Sequence, residues 1–341
     1  MKILLVSGFL GAGKTTFIKE LIKRTGTHPV IMENEYGDNN LDSLELRNDA
    51  AREDDIQVME FMEGCVCCTM KDSFANSVFT IFSSLDPEYL IIEPTGVGRL
   101  SNIINNLQPF LHGSISLLKP AVVLSPENFQ QNMKEWPELY RDQVANAEIV
   151  VFSKCEHTSM EVLEQVSALI RDINPRAEII DSHYSNMSDE WWMSLMGLGN
   201  ASDNASEITA LTGSGSDSAS GASSGEEAVK DEFTQVSISR TELHNPAELI
   251  MFLEDCLHNE FGHMARAKGT VMIDGEMLRF DLADRMYAIT SSPDTKCQCV
   301  FIGQFLDEKK IRQRLCGGTK VVRKIQQFPQ RRLKAAVNDI W

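Results

Sequence analysis

No apolar run in this sequence approaches the ~20 residues that a membrane-spanning helix needs. Positive charge is also scarce: 32 Lys and Arg stand against 49 Asp and Glu, a formal net charge of −17. That deficit argues against nucleic acid or an anionic membrane surface as a main partner, because both are gripped by clustered cations. A secretion signal is not expected either, although the start could pass for a short one. Met1-Lys2-Ile3-Leu4-Leu5-Val6 is short, has no small-residue cleavage site and runs directly into a glycine-rich loop, so it reads as a buried strand. The eight cysteines are then expected to be reduced thiols in a cytoplasm, not a disulfide framework. No internal repeat is visible. What is present, 341 residues of which 43% are hydrophobic, suffices for two domains with ordinary cores.

Short apolar runs at 3–6, 30–32, 58–61, 89–92, 121–124, 149–152 and 178–180 are bounded by Gly, Pro, Asn or Asp and read as strands. Between them, 14–24 places Phe17, Ile18, Leu21 and Ile22 on one helical face. Residues 160–173 repeat the pattern with Val162, Leu163, Val166, Leu169 and Ile170. Strand–helix alternation with near-continuous apolar strands predicts an α/β fold, a mostly parallel sheet covered on both faces. Residues 199–232 change character. Their Gly- and Ser-rich composition buries no core and reads as a flexible linker. Beyond it, strands are expected at 233–238, 270–273, 277–280, 286–289 and 299–302, with helices at 247–257 and 307–315. The expected organisation is a nucleotide-binding domain at 1–198, the linker at 199–232, a small α+β domain at 233–330 and a peripheral tail at 331–341.

Gly8-Phe9-Leu10-Gly11-Ala12-Gly13-Lys14-Thr15 fits G-x-x-x-x-G-K-S/T between a strand and a helix, where the pattern has physical meaning. Its glycines let the backbone wrap a phosphate, and the amides of 11–16 converge on the anion at the helix N-terminus. Gly11, Ala12, Gly13, Lys14, Thr15 and Thr16 are therefore the expected phosphate contacts. Lys14 neutralises β- and γ-oxygens, and the Thr15 hydroxyl ligates Mg²⁺. Phe9 stands where one subgroup of P-loop ATPases carries a second lysine, which argues against that subgroup. Two acids follow at strand ends. Glu93, in Ile91-Ile92-Glu93-Pro94-Thr95-Gly96, suits a γ-phosphate and Mg²⁺ sensor or a strand-end cap. Glu35, in Asn34-Glu35-Tyr36-Gly37, suits the Mg²⁺ shell, an attacking water or a solvated loop. With Lys14 they are the candidate catalytic residues. No arginine finger or water-positioning glutamine stands out, so slow intrinsic hydrolysis is expected.

The loop Ser153-Lys154-Cys155-Glu156 ends an apolar strand at the stage where a base-recognition loop falls. Glu156 keeps a carboxylate that could accept from guanine, and Lys154 offers a stem over the ring. Ser153 lacks an asparagine's amide. GTP is favoured over ATP, with an unrelated Ser-Lys turn as the bland alternative.

Cys65-Val66-Cys67-Cys68 puts three thiols within four residues. Thiolates suit Zn²⁺ and Co²⁺, which prefer four ligands. Cys65, Cys67 and Cys68 leave a position open for water, for Glu63 or for a partner's ligand, which favours transfer over permanent binding. A redox pair or three small buried hydrophobes are the alternatives, a vicinal Cys67–Cys68 disulfide being strained. Cys297, Cys299, Cys256, His258 and His263 could form a second site, but Cys299 enters a buried strand and the bland reading is stronger. Lys268-Gly269 after Arg266 reads as a solvated basic turn, or as a loop touching the nucleotide or the first domain.

Together these pieces resemble the CobW-like P-loop GTPases of metal homeostasis, relatives of the urease and hydrogenase nickel-insertion GTPases. The matching segments are GFLGAGKTT at 8–16, NEYG at 34–37, GCVCC at 64–68, EPTG at 93–96 and SKCE at 153–156. RAKG at 266–269 and VFIGQFLD at 300–307 are similar to that family's C-terminal module. The resemblance implies a GTP-dependent metallochaperone, with metal on Cys65, Cys67 and Cys68 and with nucleotide state governing its capture and release. SKCE departs from the usual N-K-x-D, Ser125 stands where many members have aspartate, and the linker lacks a histidine-rich stretch.

The expected cofactors are GTP, Mg²⁺ and Zn²⁺ or Co²⁺. The expected partners are GTP, the transition-metal ion and an unidentified client metalloprotein or cofactor enzyme, with a homodimer as a further candidate. The rival readings are a zinc buffer or sensor with little turnover, and an ATP-dependent activator of a corrinoid or metal-cofactor enzyme.

Overall fold

The computed structural model describes residues 1–35, 57–62, 71–198 and 233–317. Its first eight strands are β1 (Lys2–Ser7), β2 (Val30–Glu35), β3 (Gln57–Met62), β4 (Tyr89–Glu93), β5 (Ser116–Leu117), β6 (Ala121–Leu124), β7 (Ile149–Phe152) and β8 (Glu178–His183). They form one parallel sheet in the order β3-β2-β4-β1-β6-β7-β8, with short β5 beside β1. Side chains alternate across each strand. On β1, Leu4 and Val6 enter one core, while Ile3 and Leu5 enter the other. This two-sided burial is why the strands read as unbroken apolar runs.

Helix α1 (Lys14–Thr25) covers the first face, packing Phe17, Ile18, Leu21 and Ile22 beneath it. Phe17 sits edge-on to Tyr184 at 5.1 Å and against Trp192 at 5.2 Å, which docks α7 (Asp189–Leu195) on α1. Each such fully buried aromatic is worth about 1.5–3 kcal/mol. The other face is covered by α2 (Lys71–Leu85), α3 (Leu100–Leu107), α4 (Pro126–Glu135), α5 (Pro137–Ala145) and α6 (Met160–Ile173). Prolines at the first positions of α4 and α5 fix where these two helices begin.

The C-terminal strands are β9 (Thr234–Ile238), β10 (His263–Ile273), β11 (Glu276–Ala283), β12 (Met286–Ser291) and β13 (Gln298–Gln304). They pair antiparallel in the order β12-β11-β10-β13-β9. One face packs Ala267, Phe280 and Phe301 against α8 (Pro246–Leu257) and α9 (Glu308–Cys316). The opposite face sends Ala265, Val300 and Ile302 into the core of the first domain. The two domains thus share apolar contacts. Trp136, at the α4–α5 elbow, stacks on His263 at 3.9 Å and lies beside Phe233 at 4.9 Å. Arg285 donates to Glu135 at 2.9 Å across the same seam.

The structure differs from the sequence reading in two places that matter. Strand β2 runs three residues further, so Asn34 and Glu35 close a strand and do not lie on a loop. Strand β10 begins at His263, so the Arg266–Gly269 segment is paired strand between β11 and β13, not a basic turn. Cys256 and Cys299 are buried in the C-terminal core. Among the described residues no helix is long and apolar enough to cross a membrane. Cys65, Cys67, Cys68, Glu63, Tyr36, Gly37, the linker 199–232 and the tail 331–341 lie outside the described residues.

Candidate functional site

The phosphate loop forms where β1 ends and α1 begins. Gly13 takes the helix N-cap with φ 90°, a left-handed conformation that favours glycine. The amides that follow are the orphan donors of a helix N-terminus. Gly96 presses the end of β4 onto this loop. A Cβ there would stand 2.3 Å from the Leu10 backbone nitrogen, so only glycine allows the approach. Gln143 holds the same turn by donating to the carbonyls of Gly96 (3.3 Å) and Gly98 (3.2 Å).

A cleft of about 550 Å³ opens beside the loop. Gly11, Gly13, Lys14, Thr15, Thr16 and Glu93 all line it. The Lys14 ammonium is nearly buried, 3.4 Å from the Phe9 carbonyl and 4.0 Å from Glu93. Thr15 Oγ1 donates to the Glu93 carboxylate, 3.0 Å from Oε1 and 3.2 Å from Oε2. Adjacent oxygen ligands of Mg²⁺, at about 2.0–2.1 Å and right angles, stand about 2.9 Å apart, so this hydroxyl–carboxylate pair has the spacing of two neighbouring ligands. Thr95, also on the cleft, has a buried hydroxyl with no hydrogen-bond partner among the described residues. The donor set fits a phosphate-bound Mg²⁺, which when present neutralises charge on the phosphate oxygens.

Glu33 is a lining residue that the sequence reading missed. It is buried on β2, directly across from Glu93 of β4. An acid inside an otherwise apolar strand was the available signal. Glu35 occupies the last pair of β2 with β3, opposite Met62.

The base-loop residues divide. Ser153 is buried, with Oγ 2.6 Å from the Ala12 carbonyl and 3.2 Å from that of Leu124. Its hydroxyl therefore ties the loop to the phosphate loop, a positioning role that the missing amide does not prevent. Lys154 takes φ 53°, and its ammonium lies 3.7 Å from Asp284 at the turn of the β11–β12 hairpin. Glu156 stands apart, 3.3 Å from His183 Nε2. The structure thus gathers Ala12, Ser153 and Lys154 around the phosphate loop, while Glu156 faces the end of β8.

Asp284 was not legible in the sequence as a site residue. Its side chain is 5% exposed, and burial pushes the carboxyl above its ordinary range, with Lys154 opposing that shift only in part. An acid whose folded pKa is raised favours the folded state at low pH and loses that contribution as pH rises through the folded value. Asp284→Asn removes the buried charge. The variant should therefore melt a few degrees above wild type at pH 8, the gap closing as pH falls toward 4, in calorimetric scans.

A parallel sheet with a glycine loop, a buried lysine and a hydroxyl–carboxylate pair at its C-terminal edge defines a P-loop nucleotide-binding protein. Residues 2–181 match the family described as "CobW/HypB/UreG, nucleotide-binding domain", and residues 233–317 match the "Cobalamin synthesis protein cobW C-terminal domain". The chain belongs to the CobW/HypB/UreG family. It is similar to the Zinc-regulated GTPase metalloprotein activator 1 of Dictyostelium discoideum, 27% identical over 216 residues, covering 53% of this chain and 46% of that protein. The Zinc chaperone YeiR of Escherichia coli is 31% identical over 160 residues, 46% of this chain and 47% of its own. The Zinc chaperone YjiA of the same organism is 24% identical over 338 residues, 92% of this chain and 98% of its own. The Zn(II)-bound YjiA structure aligns with a TM-score of 0.41 at 18% identity, covering 92% of this chain and 97% of that one. The chain spans about half the length of the first two relatives and nearly all of the third.

Proposed function

We propose that this protein is a GTP-hydrolysing metal chaperone. It binds Mg-GTP at Gly11–Thr16, carries a transition-metal ion on Cys65, Cys67 and Cys68, and passes the ion to a client metalloprotein. The observation that supports this most directly is the Lys14–Thr15–Glu93 cluster at the edge of the sheet where the thiol segment departs. Strand β3 runs parallel to β2 and β4, so its end at Met62 lies on the same edge as Glu93. Cys65 follows three residues later, a stretch of chain that reaches at most about 11 Å. A thiol cluster tethered there is within reach of loops that a γ-phosphate would rearrange.

Zinc is the favoured cargo. Three thiolates suit it, and the named relatives are zinc chaperones or a zinc-regulated activator. Cobalt is the second choice by the same ligand chemistry. Guanine is the favoured base, with Ser153 fixing the loop, Lys154 covering the ring and Glu156 accepting from it. In this reading Lys14 and Glu93 carry hydrolysis, with Glu35 in support.

Competitive zinc titration, with and without a hydrolysis-resistant Mg-GTP analogue, tests the coupling. The expected result is a severalfold or larger change in zinc affinity between nucleotide states. By linkage, zinc must change nucleotide affinity by the same factor. Identical zinc affinity in both states sinks the switch and favours a simple zinc buffer.

A further inference from the structure

The C-terminal sheet supplies the far wall of the cleft. Strand β10 turns Arg266 and Lys268 toward it and Ala267 into the C-terminal core. The tip of the β11–β12 hairpin reaches further, into the first domain. Ala283 and Asp284 lie against the phosphate loop: a Cβ on Gly11 would stand 3.1 Å from that of Ala283 and 3.5 Å from Asp284 Oδ2. Arg285 secures the same tip by donating to Glu135 of α4 at 2.9 Å.

Asp284 is where this tip meets the nucleotide loops. Its carboxylate accepts hydrogen bonds from the amides of Asn128 and Asn132, both on α4. Asn132 is itself fixed, donating to the Tyr140 hydroxyl at 2.6 Å. The same Oδ2 that faces Gly11 lies 3.7 Å from the Lys154 ammonium. One carboxylate of the second domain thus sits in a socket built by α4, the phosphate loop and the base loop of the first. A carboxylate withdrawn from water needs donors and a cation around it, and this socket provides both. The backbone is constrained at both ends of the pair, with φ 53° at Lys154 and φ 52° at Asp284. Side chains other than glycine's enter that region rarely, and such positions cluster at ligand sites. Lys154 is half exposed on the cleft while Asp284 is buried, so the acid is the fixed partner and the lysine the one it orients.

We infer that Asp284 is a positioning residue for nucleoside binding: by holding the Lys154 ammonium, it lays the lysine's methylene stem where the base stacks. A free lysine stem samples many rotamers, and ordering it on binding costs affinity. An anchor that orders it beforehand removes that cost. The base loop is thereby set by the second domain, through one side chain at a hairpin tip. This deepens the proposed GTP-binding reading and rests on its assignment of Lys154 to the ring, adding the residue of the other domain that aims that lysine.

The test is isothermal titration of the full-length protein with Mg-GDP and with inorganic triphosphate, which offers phosphates without a nucleoside. Wild type is compared with Lys154→Met, Asp284→Asn and the double variant. Each single substitution should weaken GDP roughly threefold to thirtyfold and leave inorganic triphosphate within about twofold of wild type. The double variant should bind GDP no more weakly than the weaker single, because both changes remove one interaction. Wild-type GDP affinity in Asp284→Asn, losses that multiply in the double variant, or an equal loss for inorganic triphosphate overturns the inference. Should Asp284→Asn not fold, Asp284→Glu moves the charge by one methylene and must show the same selective loss; unchanged GDP affinity there overturns the inference too. If wild type binds GDP no better than inorganic triphosphate, or if Lys154→Met binds GDP as wild type does, the base-loop reading itself has failed and this inference falls with it.

Discussion

Replacing Lys14 by alanine should lower GTP turnover by roughly 10²–10³-fold, read as phosphate release at saturating nucleotide. The ammonium lies at the inner end of the cleft, where solvent screens it little, beside the Thr15–Glu93 pair. Charge that develops on the transferred phosphoryl group needs a fixed counter-charge. The fold should survive the change. The Phe9 carbonyl at 3.4 Å and Glu93 at 4.0 Å are both long contacts to the amine. A melting temperature near wild type together with lost turnover would separate chemistry from unfolding. Turnover within a few-fold of wild type would show that this cleft is not where hydrolysis occurs.

Zinc affinity should fall on the order of a hundredfold in each of Cys65→Ser, Cys67→Ser and Cys68→Ser, measured by competition against a chromophoric chelator. Apparent zinc binding energies of about 10–16 kcal/mol shared among four ligands assign each thiolate about 3 kcal/mol, or roughly a hundredfold. The pH dependence has a definite sign. A thiol must lose its proton to bind, so affinity falls as pH drops, and each serine variant should show a shallower dependence than wild type. Nucleotide binding without metal should be unchanged in all three. If none of the three substitutions weakens zinc, the cargo site lies elsewhere.

The parts of the molecule that were legible in the sequence are those where one force decides. Strands such as Ile149–Phe152 are buried on both faces, so their apolar character is unbroken. The phosphate loop is legible because its glycines, Lys14 and Thr15 answer one geometric demand at fixed spacing. Strand β10 was half missed because Arg266, Lys268 and Gly269 resemble a turn. Pairing on both sides makes that segment a strand, and its cations are buried toward a polar cleft where an apolar pattern would have been visible. Asp284-Arg285 lacks the glycine of a typical two-residue hairpin turn, although both residues take positive φ, so its contact with Lys154 was beyond sequence reasoning. Ser153 shows the converse case. Judged against an asparagine it looks deficient, yet its hydroxyl reaches the Ala12 carbonyl across the fold.

The alternation along β10 makes the chain intolerant of a particular kind of change. Arg266 and Lys268 look toward the phosphate loop only because Ala267 and Gly269 look away. One inserted or deleted residue before this segment, with pairing otherwise kept, would exchange the two sets. Cations would be driven into the C-terminal core, and an alanine and a glycine would face the cleft. Point substitutions here alter a contact, but a single-codon insertion inverts a whole wall, so length variation among related chains should collect in the hairpin turns and spare the strand.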